Sequence, residues 1–326
     1  MSGRERPVAL RGPAASVGAL GAIAIAIALA LAGCGLVAGS APSAVQLLVT
    51  RDFGSRVLRS TGALRASGGE TVLDLLRRYD AVSASSGGSV VKGIDGLSSG
   101  VEAGAAGQIA DWSYYVNGVQ ASTGPAATSV HPGDHVWWDL HDASQTADTA
   151  AVVGSFPEPF LNGIEGKRLP VRVECASASS ACSTVTASLR ASGVPAAVAA
   201  VGSGTAPETL RVMVGPWVLI GGDVEAHSIA QGPGASGVYA RLSADGQALT
   251  LLDQQGRAVR TLRGDAGLVA ATKAVREAPV WVVTGTDGAG VELAARAFNR
   301  TTLADRFAVA LEPGGAISLP ARSPAL

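Results

Sequence analysis

Lysine is nearly missing from this chain. Lys92, Lys167 and Lys273 are the only three among 25 basic residues. With 26 acidic residues the net charge is −1. Such a balance builds no broad positive field, so no nucleic-acid partner is expected. Aromatic residues make up 4% of the chain and hydrophobic residues 47%, so Ala, Val and Leu must fill the interior. The glycine-rich stretch TGTDGAGV, Thr284 to Val291, lacks both the G-x-G-x-x-G pattern and the G-K-S/T of a phosphate loop. Its Asp287 is placed as a helix N-cap, where a carboxylate would repel phosphate. Outside the stretch His131 to His141, His227 is the only histidine, and GDVEAH around it has no companion motif. No enzyme activity and no cofactor are expected.

What is present starts at the N-terminus. Arg4, Arg6 and Arg11 precede an apolar run from Val17 to Leu31. The run reads as the core of a signal peptide rather than as a spanning helix of the mature protein. Leu31-Ala32-Gly33-Cys34 follows and matches the bacterial lipobox. Residues 1–33 are therefore expected to be a lipoprotein signal peptide, with Cys34 as the lipidation site. Two or three acyl chains there would anchor the protein stably to the outer face of the cell membrane. Residues 34–43, small and flexible, form the expected tether. The remaining cysteines, Cys175 and Cys182, are an even pair in an exported chain and are expected to form a disulfide. Only six residues separate them, so the stabilisation is roughly 2–3 kcal/mol in the chain-entropy model.

The rest divides into two units. The first runs from Ala44 to Asp142. Two strands surround the turn at Asp52 to Ser55. Val72, Leu75, Leu76 and Tyr79 fall on one helical face, with Thr71 and Asp74 spaced as a capping box. SVVKGIDGL is a strand, DWSYYVNGVQAS is a hairpin turning at Asn117-Gly118, and His131-Pro132-Gly133-Asp134 is a turn that releases the strand His135 to His141. The order is β-β-α-β-β-β-β. SQTADT, Ser144 to Thr149, reads as a linker. Residues 151–310 form the second unit. It has a strand at PVRVEC, a helix from about Cys182, a strand at Leu210 to Val214 and a meander through GVYARL, QALTLLD and RAVRTL. A helix near Gly267 to Glu277, the buried strand PVWVVTGT, a helix near Asp287 to Phe298 and a last strand RFAVAL follow. The tail is 311–326. The fold class is α+β, with a mixed α/β second domain that carries an antiparallel meander.

The series G-E-T-V-L-D-L-L, V-V-K-G-I-D-G, W-S-Y-Y-V-N-G and P-G-D-H-V-W-W, in this order between Gly68 and Asp142, resembles the DUF4430 family. That family is similar to the C-terminal domain of transcobalamin and intrinsic factor and belongs with the soluble-ligand-binding β-grasp domains. The resemblance implies a β-grasp fold and an extracellular binding role for 44–142. It does not by itself imply cobalamin, although a corrinoid-like ligand is among the readings it leaves open. It says nothing about the second unit.

HPGDHVWWDLHD, His131 to Asp142, gathers three of the four histidines. Strand alternation places His135, Trp137, Asp139 and His141 on one face and Val136, Trp138 and Leu140 on the other. His135, Asp139 and His141 are plausible zinc or copper ligands by type. Next neighbours on one strand face lie about 6.5–7 Å apart, which spreads the two outer histidines too far for one ion without a bend. No metal is expected. Open alternatives are a solvated polar face and a face that binds a ligand or partner. In the hairpin, Trp112 and Tyr114 share a face and Tyr115 points the other way. In the resembling carrier domains, hairpins and loops at one rim contact the ligand, and on that implication Tyr115, Asn117, Trp137 and Asp139 are the expected contacts. The expected function is capture of a small molecule or cofactor for handover to a membrane transporter. The alternative is a cell-surface module that binds a protein or an envelope polymer. A concave rim at Tyr115, Asn117 and Trp137 would favour the first, and a flat exposed patch the second.

Overall fold

Val45–Arg51 (β1) is buried at five of its seven residues and Arg56–Leu64 (β2) at none, so β1 is a core strand and β2 an edge. The turn between them bends sharply, with positive φ at Asp52, Phe53 and Gly54. Val72–Arg77 (α1) starts on the expected capping box. The Thr71 side chain accepts from the Asp74 amide, and the Asp74 carboxylate accepts from the Thr71 amide. Ile109–Val116 (β3) ends in a turn where Asn117 and Gly118 have φ of 55° and 74°. Two successive positive φ values are what the right-handed twist of a two-residue hairpin demands. His135–Asp142 (β4) then enters the middle of the sheet. The order is β2-β1-β4-β3, with β1 and β4 parallel and the other two pairings antiparallel. The short strands Gly100–Val101 and Val119–Gln120 each pair with β3. α1 lies on one face, where Val72, Leu73, Leu75 and Leu76 share a core with Val136, Trp138 and Leu140. These features belong to a computed structural model that describes residues 43–101, 109–146, 149–275 and 277–322. The expected signal segment, Cys34 and the tether up to Pro42 lie outside the described residues.

The second half is built on a seven-stranded sheet. Val171–Cys175 (β5) leads into Ser180–Ala191 (α2) and Ala197–Ala200 (β6). Leu210–Pro216 (β7), Gly267–Thr272 (β8), Val280–Gly285 (β9), Gly288–Ala297 (α3), Ala308–Glu312 (β10) and Gly315–Leu319 (β11) follow. The order is β6-β5-β7-β9-β8-β10-β11. The first four strands run parallel, and β8, β10 and β11 pair antiparallel. Ala240–Leu242, Ala248–Leu252 and Ala258–Arg263 form the expected meander as a separate three-stranded sheet. The fold is α+β, dominated by strands.

Two expectations give way. The helix placed near Gly267 to Glu277 is strand β8. All six β8 residues are buried, between β9 and β10. A strand covered on both faces shows a continuous apolar run rather than alternation, and such a run does not separate strand from helix. The tail begun at residue 311 contains β11, which closes the sheet edge against β10.

The two halves share their interior. The described residues form one compact unit. Leu48, Phe53, Tyr115 and Trp137 of the first half sit in one hydrophobic cluster with Tyr239, Leu268 and Phe307 of the second. Thr149, in the expected linker, is 2% exposed. Beyond it every residue from Ala151 to Leu161 is buried. This strap has no regular hydrogen-bonded partner strand, so its polar groups are met singly. The Val152 amide donates to Gly118 O, the Val153 amide to Phe307 O, and Ala150 O accepts from the Gln120 amide.

Candidate functional site

β4 presents its two faces as alternation predicts, and the face of Trp137, Asp139 and His141 is covered. Trp137 and Asp139 are fully buried and His141 nearly so. The covering group is the second half of the same chain. Phe307 sets its ring edge against Trp137 at 5.2 Å, Tyr115 at 5.5 Å and His141 at 5.4 Å. Phe53 adds a contact to Tyr239 at 5.0 Å. Edge-to-face pairs at these separations are favourable beyond their buried area.

The polar groups on this face are consumed by the fold. Asp139 accepts from the amides of Phe53 (3.0 Å) and Gly54 (2.9 Å) and from the Thr50 hydroxyl, and lies 2.9 Å from His141 Nδ1. It thereby fixes the tight turn between β1 and β2. The Trp137 indole donates to Thr50 Oγ1 at 2.7 Å. Asn117 donates to Asp134 Oδ1 and to Gly163 O, both at 2.8 Å, and accepts from the His135 amide at 2.9 Å. Tyr115, Asn117, Trp137 and Asp139, the four expected ligand contacts, are thus brought together at the seam between the halves. They form neither a concave rim nor an exposed patch, because each is completely buried.

The histidines separate. His131 lies 3.5 Å from Asp134, His141 bonds Asp139, and His135 turns toward the strap. Among the described residues no three His, Cys, Asp or Glu side chains gather as a metal site.

At the end of this seam lies a small polar pocket. His135 Nδ1 and Ser155 Oγ are 2.8 Å apart. Glu158 accepts from the Asn162 amide (2.8 Å) and side chain (2.6 Å), and Asn162 also donates to Gly133 O. These residues and Arg300 line a cavity of about 50 Å³, the size for one or two waters. Burial, reinforced by the Arg300 charge, lowers the His135 pKa to about 4. Burial raises Glu158 to about 7, against the Asn162 hydrogen bonds. Shifted groups in a pocket can mark chemistry. Here both groups already serve as hydrogen-bond partners, His135 of Ser155 in the strap and Glu158, itself in the strap, of Asn162.

The opposite face of the same strands carries an open cleft. Trp112 and Tyr114 of β3 and Trp138 of β4 point to the α1 side. The Tyr114 and Trp138 rings stack at 4.8 Å and 26°. These three rings, with Asp111, Gln120 and Pro125, line a cleft of about 320 Å³. Two of the three polar tips are used internally. Tyr114 is hydrogen-bonded to Thr123 O and Thr128 Oγ1, and the Trp112 indole donates to Leu97 O. The buried Trp138 Nε1 has no partner. A buried donor without an acceptor is costly, and native structures hold few. Period-2 alternation had already put Trp112 and Tyr114 on a shared face. Which face would stay open depended on residues far along the chain.

Two other motifs resolve into structure. Asp287 caps α3, accepting from the Gly290 amide at 2.8 Å and from the Asp265 amide at 2.8 Å. Gly96-Leu97-Ser98-Ser99-Gly100 matches the G-x-S-x-G spelling of a nucleophile elbow. Its Leu97–Ser98 strand pairs back on Val91–Ile94, whereas the elbow needs a strand-to-helix turn. Ser98, the serine of that spelling, lies in this strand, and its neighbour Ser99 donates to Asp111 of β3.

Residues 69–142 match the family model described as a domain of unknown function, DUF4430. The match covers the segment from α1 through β4, which contains the aromatic cleft and one side of the seam. None of the curated proteins searched matches the chain.

Proposed function

We propose that this chain is a lipid-anchored protein of the extracytoplasmic face that binds a small ring-bearing molecule in the cleft of Trp112, Tyr114 and Trp138. The observation that carries the reading is the Trp138 indole N–H, a buried donor without a partner on a ring that lines the cleft. A cleft near 300 Å³ that sets aromatic rings beside Asp111, Ser113, Gln120 and Thr123 suits a compact, flat ligand with polar edges, one of them a hydrogen-bond acceptor. That size takes part of a corrinoid-like molecule rather than the whole. The parallel pairing of β1 with β4 and the packing of α1 on one face of the sheet support a β-grasp binding module. Handover to a membrane transporter would fit a captured solute.

Mass spectrometry of the protein purified from its own cells should find one retained small molecule. Trp138→Phe keeps the ring and removes the donor. It should weaken that ligand about tenfold, the worth of one hydrogen bond to a buried donor, while Trp137→Phe, on the sealed face, leaves affinity unchanged. Unchanged affinity in Trp138→Phe, or a protein recovered empty, would remove the reading.

The anchor has its own test. The basic start, apolar run and Leu31-Ala32-Gly33-Cys34 support it. Growth with a labelled fatty acid should mark the wild type, and Cys34→Ala should lose the label and leave the membrane fraction. Equal labelling of both would defeat the anchor without touching the cleft. No described helix is long and apolar enough to cross a membrane.

A further inference from the structure

We propose that the Cys175–Cys182 disulfide is an exchangeable redox centre, open through its own groove to a carboxylate-bearing low-molecular-weight thiol. This rests on the second half alone and is independent of the cleft.

The two cysteines are bonded, with Cα atoms 5.9 Å apart. Cys175 is the last residue of β5 and pairs with Ala200, the last residue of β6. β5, β6, β7 and β9 all run parallel, so the disulfide sits at the carboxyl edge of their sheet. Open parallel sheets place their ligands at that edge. A groove of about 770 Å³ opens there, and both cysteines, each 6% exposed, line its floor. Its walls are Ser177 and Ser179 of the loop after β5, Ser180, Ser183 and Thr186 of α2, and β6. β6 is an edge strand whose Val198 is 54% exposed. Arg190 is the one charged residue among those lining it.

Position also sets the chemistry. Cys182 is in the first turn of the 12-residue α2, its amide held by the Ser179 cap, and no acidic residue shares that turn. A helix N-terminus stabilises a thiolate, so Cys182 is the better leaving group. An incoming thiolate attacks Cys175 Sγ. The protein S–S bond breaks, and its electron pair leaves on Cys182 as thiolate. A second thiolate attacks the sulfur of the bound thiol, releases a symmetric disulfide and leaves Cys175 as thiolate. In total, two thiols are oxidised and the protein disulfide becomes a dithiol. Both cysteines sit on packed elements, strand end and helix start, so the reduced pair stays in place to re-form.

The test uses the full oxidised chain without denaturant. Glutathione, neutral 2-mercaptoethanol and cationic cysteamine are compared at equal thiolate concentration. Alkylation and peptide mass spectrometry then read Cys175 and Cys182 separately from Cys34. Glutathione should open the disulfide about tenfold faster than cysteamine, as a single guiding charge allows, with the transient adduct on Cys175. Arg190→Glu, an exposed change, should abolish that preference and leave the 2-mercaptoethanol rate as it was. A disulfide that opens only in denaturant would overturn the proposal, as would equal wild-type rates for glutathione and cysteamine.

Discussion

Trp137→Ala should cost about 4 kcal/mol of stability and lower the melting temperature by roughly 10 °C. The indole is fully buried, fills the space between the sheet of the first half and Phe307 of the second, and donates to Thr50. Its removal leaves a cavity that the neighbouring Gly54 and Gly154 backbones, already packed on the ring, cannot close. The loss also frees Thr50, which holds Asp139, so part of the cost is a loosened polar cluster. The shared core makes a further demand. Urea unfolding followed by fluorescence and by far-UV circular dichroism should give one coincident transition in wild type and variant. Phe307→Ala, made from the other half, should act on the same transition. The double variant should fall short of the summed losses by about 1 kcal/mol, the coupling of one edge-to-face pair. Two separated transitions, with only the first moved by Trp137→Ala, would mean that the halves are independent domains joined at Ser144 to Thr149.

The sequence showed the two faces of β4 and left their neighbours unknown. Alternation is a local property of the backbone, so His135, Trp137, Asp139 and His141 could be grouped without any tertiary information. What covers each group is not local. Phe307 is remote in sequence from Trp137, and nothing near either residue announces the other. The expected site therefore fell on the face that the chain itself occupies, and the open cleft lies on the other. The strap Ala151 to Leu161 was equally silent. Its apolar residues follow neither period 2 nor period 3.6, because it is buried without being helix or strand. Features set by short-range chemistry were legible. The Thr71–Asp74 capping box, the Asn117-Gly118 hairpin, the Asp287 cap and the Cys175–Cys182 bond all stand where their spacing put them.

The polar pocket at the seam predicts two opposed pH responses. His135 titrates near 4 in the folded protein and near 6.5 when unfolded. Between those values the unfolded chain binds the proton and the folded one does not. Stability from this group therefore rises with pH across that window, by at most about 3 kcal/mol. Glu158 is shifted the other way, to about 7 from 4.5. Here the folded protein keeps a proton that the unfolded chain has lost, so its contribution falls as pH rises from 4.5 to 7, again by about 3 kcal/mol. The slopes cancel over most of the shared range, and single variants should separate them. Relative to wild type, Glu158→Gln should grow more stable as pH is raised from 4.5 to 7, because the amide never has to ionise. His135→Asn should lose ground against wild type from pH 4 to 6.5, because only the falling contribution of Glu158 remains. Urea midpoints at half-unit pH steps would show the two difference curves crossing. Parallel curves for both variants would mean that neither group is desolvated in solution, and that the pocket between His135, Ser155, Glu158 and Arg300 stands open to water. Asp134 and Arg300 face Glu158 with opposite charge effects. Arg300→Gln should then steepen the Glu158 branch and flatten that of His135, since the same guanidinium lowers both pKa values.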